Sequence, residues 1–269
     1  MTPDIDAVTR LVADVAATEI MPRFTRLRAG EVRDKGRGDL VTVADEAAEA
    51  RLVAALTALV PGSTALGEEA AAADPGLLRR LGQGAPVWVI DPIDGTANFA
   101  EGLAKFVVMV AYVRRSAVLA AWIHDPVVGA TAVASAGEGA WLDGRRLRAA
   151  PPPERLADMS GTLLAGFYGR RDLGRRLQAR GRELRTRRSL RCAGLEYLRL
   201  AKGEMHFSLF TRLMPWDHAP GVLIHAEAGG HAGYLEGGAY EPARLDASGL
   251  LLAPDAASWR TLRDFLLGG

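Results

Sequence analysis

The chain has 269 residues, 49% of them hydrophobic, and a formal net charge of +1 at pH 7. This balance gives no general attraction to nucleic acid or to a membrane surface, so binding of an anionic ligand must depend on local charge. A single cysteine, Cys192, excludes an internal disulfide, and no apolar run is long enough to span a membrane, so we expect a cytoplasmic location.

Apolar periodicity and breaker residues divide the first part of the chain into helices and short strands. Apolar residues recur at three- and four-residue steps from residue 4 to about 20, which predicts an amphipathic packing helix. A glycine-containing loop and a β-branched run lead to Asp45, which we expect to cap the following alanine-rich helix or to place charge in its first turn. A short apolar segment then ends in Glu68 and Glu69, which in isolation are typical of surface charges.

The rest of the chain alternates strands with helices, which favours a layered α/β protein. Two apolar runs, at 106–113 and 117–123, are joined by two arginines and a serine and predict a β-hairpin. Three prolines at 151–153 form the best candidate for a linker. The other predicted elements are strands at 129–136, 139–142, 162–167 and 206–209, helices at 173–182, 195–202 and 219–228, a pair of strands, and a closing helix at 258–267.

One stretch, residues 87–99, predicts a buried strand that delivers ligand groups at its end. The apolar run gives way to D-P-I-D-G-T at 91–96, which predicts carboxylates at the carboxyl edge of a sheet. The carboxylates of Asp91 and Asp94, the carbonyl of Ile93 and the N–H groups of Gly95 and Thr96 suit a divalent cation with a phosphate attached. For this motif alone, a helix cap at Asp91 and a solvated Asp94 are the alternative.

Four acids that are distant in sequence share a structural context. Glu68, Asp91 and Asp94 each follow a short apolar strand, and Asp217 opens a helix. Carboxylates gathered at one edge repel each other, and desolvation adds to the cost, unless cations lie between them. Hard oxygen ligands without a cluster of His or Cys favour Mg²⁺ over zinc. The sequence therefore predicts a magnesium site with more than one ion.

Four motifs, in this order along the chain, resemble the inositol monophosphatase family. They are K-x(3)-D-L-V-T-x(2)-D at 35–45, G-E-E at 67–69, W-V-I-D-P-I-D-G-T-x-N-F at 88–99 and W-D at 216–217. That family consists of Mg²⁺-dependent, lithium-sensitive phosphatases, in a superfamily with fructose-1,6-bisphosphatase and 3'(2'),5'-bisphosphate nucleotidase. The resemblance covers nearly the whole chain. It implies an α/β fold with a five-layer αβαβα sandwich, two or three Mg²⁺ ions, a homodimer, and hydrolysis of a small soluble phosphate ester, either inositol-phosphate-like or a sugar phosphate.

The resemblance also assigns the metal ligands. Glu68, Asp91 and the carbonyl of Ile93 would hold one metal ion. Asp91, Asp94 and Asp217 would hold a second. In this arrangement Asp91 bridges the two ions.

Catalytic and rim positions follow from the same resemblance. Thr96 and Asp45 would orient and deprotonate the metal-activated water that attacks phosphorus, and Glu68 joins them as a catalytic residue. A Thr hydroxyl bonded to a carboxylate is a chemically reasonable proton relay. Lys35 and Glu69 would lie at the rim of the metal site.

The substrate pocket departs from the family pattern. Phe210 stands where members that handle inositol carry an acid for sugar hydroxyls, which argues against specificity for myo-inositol phosphate. Glu196 is either a ligand for a substrate hydroxyl or amine, or an exposed helix residue. The positions assigned to substrate binding are Asp94, Gly95, Thr96, Gly194, Glu196 and Asp217.

Ten arginines between residues 170 and 191 leave two interpretations open. Arginine forks match phosphate geometry, so the segment is a candidate to bind a second phosphate or a nucleotide; otherwise it is a solvated helix face. The resembled superfamily leaves a histidinol-phosphate phosphatase or a 3'(2'),5'-bisphosphate nucleotidase as alternative functions. From another class, the alternative is a non-catalytic protein that binds phosphate or nucleic acid through the arginine segment. The intact water-activating pair argues against the last, so nucleic acid is not an expected partner.

Other reactive side chains are predicted to have packing roles. Cys192 has no partner His in the local sequence and is interpreted as a small buried residue. His218 is next to Asp217, but its helix position directs it elsewhere. We expect a single domain over 1–269, with most metal ligands in a half of about 1–150 and with Asp217 and much of the substrate pocket in a half of about 154–269.

Overall fold

The computed structural model describes residues 3–36, 38–164 and 171–268. A π-helical turn at Ala16–Ile20 extends the first helix. The α-helices of these residues are α1 (Ile5–Val15), α2 (Val43–Leu59), α3 (Glu68–Ala73), α4 (Thr96–Ala100), α5 (Arg171–Gly181), α6 (Ala193–Ala201), α7 (Pro215–Glu227) and α8 (Ala256–Leu267). The strands are β1 (Val32–Asp34), β2 (Leu40–Thr42), β3 (Thr64–Gly67), β4 (Val87–Asp94), β5 (Val107–Arg114), β6 (Ala117–Asp125), β7 (Ala130–Ser135), β8 (Gly139–Leu142), β9 (Arg145–Arg146), β10 (Ser160–Leu164), β11 (Arg185–Thr186), β12 (Phe207–Phe210), β13 (His231–Tyr234) and β14 (Leu250–Ala253).

The predicted five-layer αβαβα sandwich is confirmed. Helices α1 and α2 cover one face of a seven-stranded sheet, where Trp88, Tyr112 and Trp122 are fully buried. Helices α6 and α7 lie between the other face of that sheet and a five-stranded sheet, and one apolar cluster joins all three layers. Helices α5 and α8 close the outer face of the second sheet. Because α6 and α7 pack on both sides, the two halves of the chain share one core.

Strand order explains why distant acids meet. The larger sheet has the order β3-β4-β5-β6-β7-β8-β9, and β3 and β4 are its parallel pair, with Gly67 opposite Ile90. The carboxyl ends of parallel strands lie at the same edge of a sheet, so the residues that follow Gly67 and Ile90 are neighbours. The smaller sheet has the order β11-β10-β12-β14-β13. Strand β12 is followed by α7, which brings Asp217 toward the same place.

Several sequence predictions need correction. The apolar strand does not end before Asp91, because β4 continues to Asp94 with an irregular register between these two residues. Pro92 lacks the N–H that a regular ladder needs, so an irregularity at this point is expected. Helix α7 begins at Pro215 rather than near 219, since proline is well suited to the first helical turn. The strand predicted at 162–167 runs from Ser160 to Leu164, and residues 165–167 lie outside the described part.

Other predicted elements are confirmed. Strands β5 and β6 form the hairpin, with Arg115 and Ser116 in the left-handed region at φ 50° and 61°, as in the tight turns that match strand twist. Strands β13 and β14 are the predicted pair. Thr42 caps α2 and Asp45 completes a capping box at its third position. Within the three described ranges, the helices are too short or too polar for any of them to cross a bilayer.

Candidate active site

A cavity of about 190 Å³ collects the metal-binding acids predicted from three separate motifs. Its wall is formed by the ends of strands β3 and β4, the start of α4, the loop before β2 and the start of α7. Predicted site residues on the wall are Glu68, Asp91, Ile93, Asp94, Gly95, Thr96 and Asp217. The other lining residues are Gly38, Asp39, Leu40, Ala97, Arg191 and Arg212.

Gly95 is required at the turn between β4 and α4. Its φ is +95°, and a Cβ built there would lie 2.8 Å from the carbonyl oxygen of Lys105. A side chain at this position would therefore be both strained and in contact with a backbone atom that has little freedom to move. The turn places Asp94 immediately before the glycine and Thr96 immediately after it.

Asp94 is held in place by groups from α6 and the residue before it. Its Oδ2 accepts a hydrogen bond of 2.5 Å from the Gly194 N–H and lies 3.1 Å from the Cys192 thiol. A Cβ at Gly194 would lie 2.5 Å from Val107 Cγ2, so glycine allows this close approach. Burial raises the pKa of Asp94 to about 6, although both hydrogen bonds favour its ionised form. Gly194 thus acts on Asp94 itself and does not line the cavity.

Asp45 and Thr96 form a hydrogen-bonded pair beside the cavity. The Thr96 hydroxyl lies 3.2 Å from Asp45 Oδ1 and 2.9 Å from the carbonyl oxygen of Ile93. It has a single proton, so it can donate to only one of these acceptors at a time. Thr42 donates to the other Asp45 oxygen from its N–H and its hydroxyl. Burial raises the pKa of Asp45 to about 7, which suits a group that exchanges a proton near neutral pH.

Lys35 neutralises acids at the cavity rim. Its ammonium nitrogen lies 2.8 Å from Glu68 Oε1 and 3.0 Å from Glu69 Oε1. Burial and the nearby charge of Glu68 raise the pKa of Glu69 to about 8, against the effect of Lys35. A buried Glu49 accepts hydrogen bonds from the N–H groups of Glu69 and Ala70, and so fixes the start of α3. The surface location expected for Glu68 and Glu69 in isolation is wrong, because Glu68 is buried and Glu69 is half-buried.

The carboxylates on the cavity wall destabilise one another electrostatically. Burial raises the pKa of Asp91 well above its usual value, and the charges of Glu68, Asp94 and Asp217 add to the shift. Burial and the charges of Glu68 and Asp94 raise the pKa of Asp217 in the same way. Anions in a poorly solvated site repel each other unless a cation compensates them.

These residues fit a hard divalent cation. In the described ranges, no three His, Cys, Asp or Glu side chains are close enough to form a ready-made metal cluster. Lys35 compensates part of the negative charge of Glu68. Asp91 Oδ1 is buried and, among described residues, has no hydrogen-bond partner. Buried polar oxygens normally have a hydrogen-bond partner, so this one is free to bind a metal ion. The acids and the Ile93 carbonyl on the wall all offer oxygen atoms, which are the ligands that Mg²⁺ prefers.

Other predicted positions lie outside the cavity. Glu196 is fully buried, so its interpretation as an exposed helix residue is wrong. Its Oε1 accepts a hydrogen bond from the Leu190 N–H, and its Oε2 has no partner among the described residues. Phe210 is buried and stacks on Tyr197, with ring centroids 5.3 Å apart. Cys192 is buried, as predicted.

His218 has a packing role, as predicted. Its Nε2 donates to the carbonyl oxygen of Arg212 over 2.8 Å, since a carbonyl can only accept, so Nδ1 accepts from the Tyr197 hydroxyl over 2.9 Å. Burial lowers the pKa of His218 to about 4, so the imidazole is neutral at pH 7.

Sequence reasoning missed Arg212 on the cavity wall, whereas Arg191 belongs to the arginine-rich segment already considered for a second phosphate. Arg212 forms an ion pair with Asp39 over 2.7 Å, and Arg191 contacts Asn98 and Glu101. Asp39 belongs to the first motif, but its partner lies 173 residues away. Arg212 belongs to no recognisable motif, so the sequence gives no signal for it. Only the packing of two distant loops brings Asp39 and Arg212 together.

The fold and this site define the class as a layered α/β protein with an acid-lined cavity where two parallel strands end. The profile of the Inositol monophosphatase family matches residues 2–264. The chain therefore belongs to the inositol monophosphatase family.

Related proteins carry two kinds of name. The chain is 32% identical over 197 residues to a fructose-1,6-bisphosphatase/inositol-1-monophosphatase of Thermotoga maritima, covering 72% of this chain and 71% of that protein. It is 34% identical over 240 residues to the Nus factor SuhB of Pseudomonas aeruginosa, covering 86% and 84%. Among solved structures, a Bartonella henselae extragenic suppressor protein suhB matches with a TM-score of 0.83 at 24% identity, covering 98% of this chain and 99% of that one. The Thermotoga maritima IMPase matches with a TM-score of 0.80 at 24% identity, covering 98% and 96%.

Proposed function

We propose that the protein is a Mg²⁺-dependent phosphomonoesterase that hydrolyses a small soluble phosphate ester by attack of water on phosphorus. One observation carries the proposal: Glu68, Asp91, Asp94 and Asp217 line one cavity, next to a hydrogen-bonded Thr and Asp. Membership of the inositol monophosphatase family supports a phosphatase of this superfamily. The homodimer and the cytoplasmic location remain expectations that the resemblance and the composition support.

The metal ligands are proposed from the family resemblance, and their oxygen chemistry supports the assignment. Glu68, Asp91 and the Ile93 carbonyl would hold one ion, and Asp91, Asp94 and Asp217 would hold a second. When bound, Mg²⁺ would polarise the phosphoryl group, lower the pKa of water and stabilise the leaving oxygen. The Gly194 N–H and the Cys192 thiol hold one oxygen of Asp94, which leaves its other oxygen for a ligand.

Thr96 and Asp45 are proposed to move the proton of the attacking water. The Thr96 hydroxyl can accept that proton while it donates its own to Asp45 Oδ1, 3.2 Å away. Burial keeps the pKa of Asp45 near 7, so this carboxylate can hold a proton briefly. The N–H groups of Gly95 and Thr96 are proposed to contact the phosphate.

Metal dependence tests the proposal directly. We expect phosphate release from a panel of esters to require Mg²⁺, to stop on addition of EDTA and to fall when lithium is added. Colorimetric measurement of free phosphate over inositol phosphates, sugar phosphates, histidinol phosphate and a 3',5'-bisphosphate nucleotide would also place the substrate among the alternatives. Turnover that persists in EDTA would overturn the metal mechanism.

Thr96→Val tests the proton relay separately from metal binding. Valine keeps the shape of threonine but removes the hydroxyl, so kcat should fall about 100-fold or more, in line with the usual contribution of general base catalysis. Thr96→Ser keeps the hydroxyl and is the matched control, with activity within about tenfold of wild type. Equal loss in both variants would indicate that packing, rather than the hydroxyl, matters.

A second candidate function rests on the exposed arginines and on the relatives named Nus factor SuhB. Four arginines after α5 are exposed: Arg182, Arg185, Arg187 and Arg188. Among the described residues, Arg185 forms a salt bridge with Asp158, and no salt bridge is seen for the other three. This surface is proposed as an electrostatic contact for a nucleic acid or an anionic protein. Binding of RNA at low salt that weakens steeply as salt rises, and is lost in Arg187→Gln with Arg188→Gln, would favour it.

A further inference from the structure

Arg212 lies on the wall of the catalytic cavity without a role in the proposed chemistry. Its Nη2 donates to Asp39 Oδ2 over 2.7 Å, and both residues line the cavity. The side chain of Arg212 is 46% exposed, so it lies on a part of the wall that solvent, and therefore a ligand, can reach. The pair joins the loop before β2 to the segment before α7.

The charge of Arg212 is coupled to the metal-binding acids. Burial opposes its ionisation, but the charges of Asp217 and Asp39 raise its pKa above the usual value, and Glu68 adds to this effect. The guanidinium is therefore a permanent cation on the same cavity as the site of phosphate chemistry. A guanidinium has five N–H donors, and one of them is seen bonded to a described residue, Asp39. The fork of donors can bind a planar or tetrahedral anion.

Buried aromatic residues hold the backbone of Arg212 in place. Its carbonyl accepts from His218, which in turn accepts from Tyr197. Phe210 stacks on Tyr197 and lies edge-on to His218, with ring centroids 4.8 Å apart. All three supporting side chains are buried. Because the backbone is fixed, only the side chain of Arg212 has to be ordered when it binds an anion, which favours its use in recognition.

The remaining wall is poor in groups that could recognise uncharged hydroxyls. Apart from the acids and Thr96, the described lining residues are apolar, glycine or arginine. Arg191 is already held by two hydrogen bonds to Asn98 and two to Glu101. Arg212 is thus the side chain on this wall best placed to discriminate among substrates, and what it recognises is negative charge.

We propose that Arg212 binds a second anionic group of the substrate, either a carboxylate or a second phosphate, and that this group replaces Asp39 as its partner. The inference rests on the proposed phosphatase function and names its substrate class: small phosphate esters that carry another anion. Asp39 would hold the guanidinium in position until the substrate arrives.

Matched substrate pairs test the proposal. Fructose 1,6-bisphosphate is compared with fructose 1-phosphate, and 3-phosphoglycerate with glycerol 3-phosphate, so that each pair differs in the second anion. In Arg212→Gln, kcat/KM for the member with the second anion should fall about 10- to 100-fold, mainly through KM, because a charge-assisted hydrogen bond is lost. The singly phosphorylated partner should change by about twofold or less. The pair with the larger effect identifies a phosphate or a carboxylate as the second anion.

Two further variants separate recognition from architecture. Asp39→Asn removes the competing anion but keeps the cation, so it should lower KM for the substrates with a second anion. Arg260→Gln, on an exposed position of α8, is the charge-matched control and should leave every rate unchanged. Equal losses on all substrates in both Arg212→Gln and Asp39→Asn would overturn the proposal and indicate that the pair only holds the loop. Unchanged selectivity in Arg212→Gln would also overturn it.

A direct binding measurement keeps the two proposals separate. If the wild type released no phosphate from any ester with Mg²⁺, the proposed function would fail. Calorimetric titration of the intact fructose 1,6-bisphosphate into the same proteins would then decide the role of Arg212. Binding that is about tenfold or more weaker in Arg212→Gln supports the anion site, and equal binding excludes it.

Discussion

Asp91→Asn is expected to lower kcat/KM for phosphate release by about a thousandfold or more. Asparagine keeps the shape of the side chain but removes the charge of the residue proposed to bridge two metal ions. Metal ions contribute several kcal/mol of transition-state stabilisation, and about 4 kcal/mol corresponds to three orders of magnitude in rate. Steady-state release of phosphate at several Mg²⁺ concentrations measures the effect, and wild-type turnover by the variant would end the metal hypothesis.

The same substitution should have the opposite effect on stability without metal. Asp91 is buried beside Glu68, Asp94 and Asp217, and its charge raises the free energy of the folded state. Neutralising it should raise Tm in EDTA by about 2–4 °C for each kcal/mol of repulsion removed. Mg²⁺ should then stabilise the variant less than it stabilises the wild type. Glu154→Gln, at an exposed position outside the helices and strands, is the control and should shift neither value.

Gly95→Ala is expected to destabilise the fold by about 3 kcal/mol or more and to abolish activity. The substitution combines a left-handed φ of +95° with a Cβ only 2.8 Å from the Lys105 carbonyl oxygen. Because Asp94 and Thr96 flank this glycine, any shift of the turn also moves a proposed metal ligand and the proposed relay. Urea unfolding monitored by circular dichroism, together with phosphate release, measures both effects.

Gly62→Ala provides the control for Gly95→Ala. Its φ of +83° is also left-handed, but a Cβ there would meet nothing within 4 Å. It should therefore cost only about 1 kcal/mol and leave activity unchanged. Equal destabilisation in the two variants would mean that the contact with Lys105 has no energetic weight.

The sequence by itself determined the local structure and the chemical type of the site. Hairpin β5–β6, the terminal helices and the layered class follow from periodicity and breaker residues, because these signals are local. The irregular continuation of β4 to Asp94 was missed. An acid followed by a proline does not reveal whether a strand ends there or continues with an irregular register.

Only the tertiary structure decided how the predicted acids meet and which basic side chains join them in the cavity. The parallel pairing of β3 with β4 sets Glu68 beside Asp91, and the packing of α7 on that sheet brings in Asp217. The tertiary structure also buried Glu196, for which the sequence had left open an exposed helix position or a role as substrate ligand. It further brought Asp39 into contact with Arg212, 173 residues away. Local pattern carries no information on such contacts, because they depend on how the layers stack and on which loops meet at their edges.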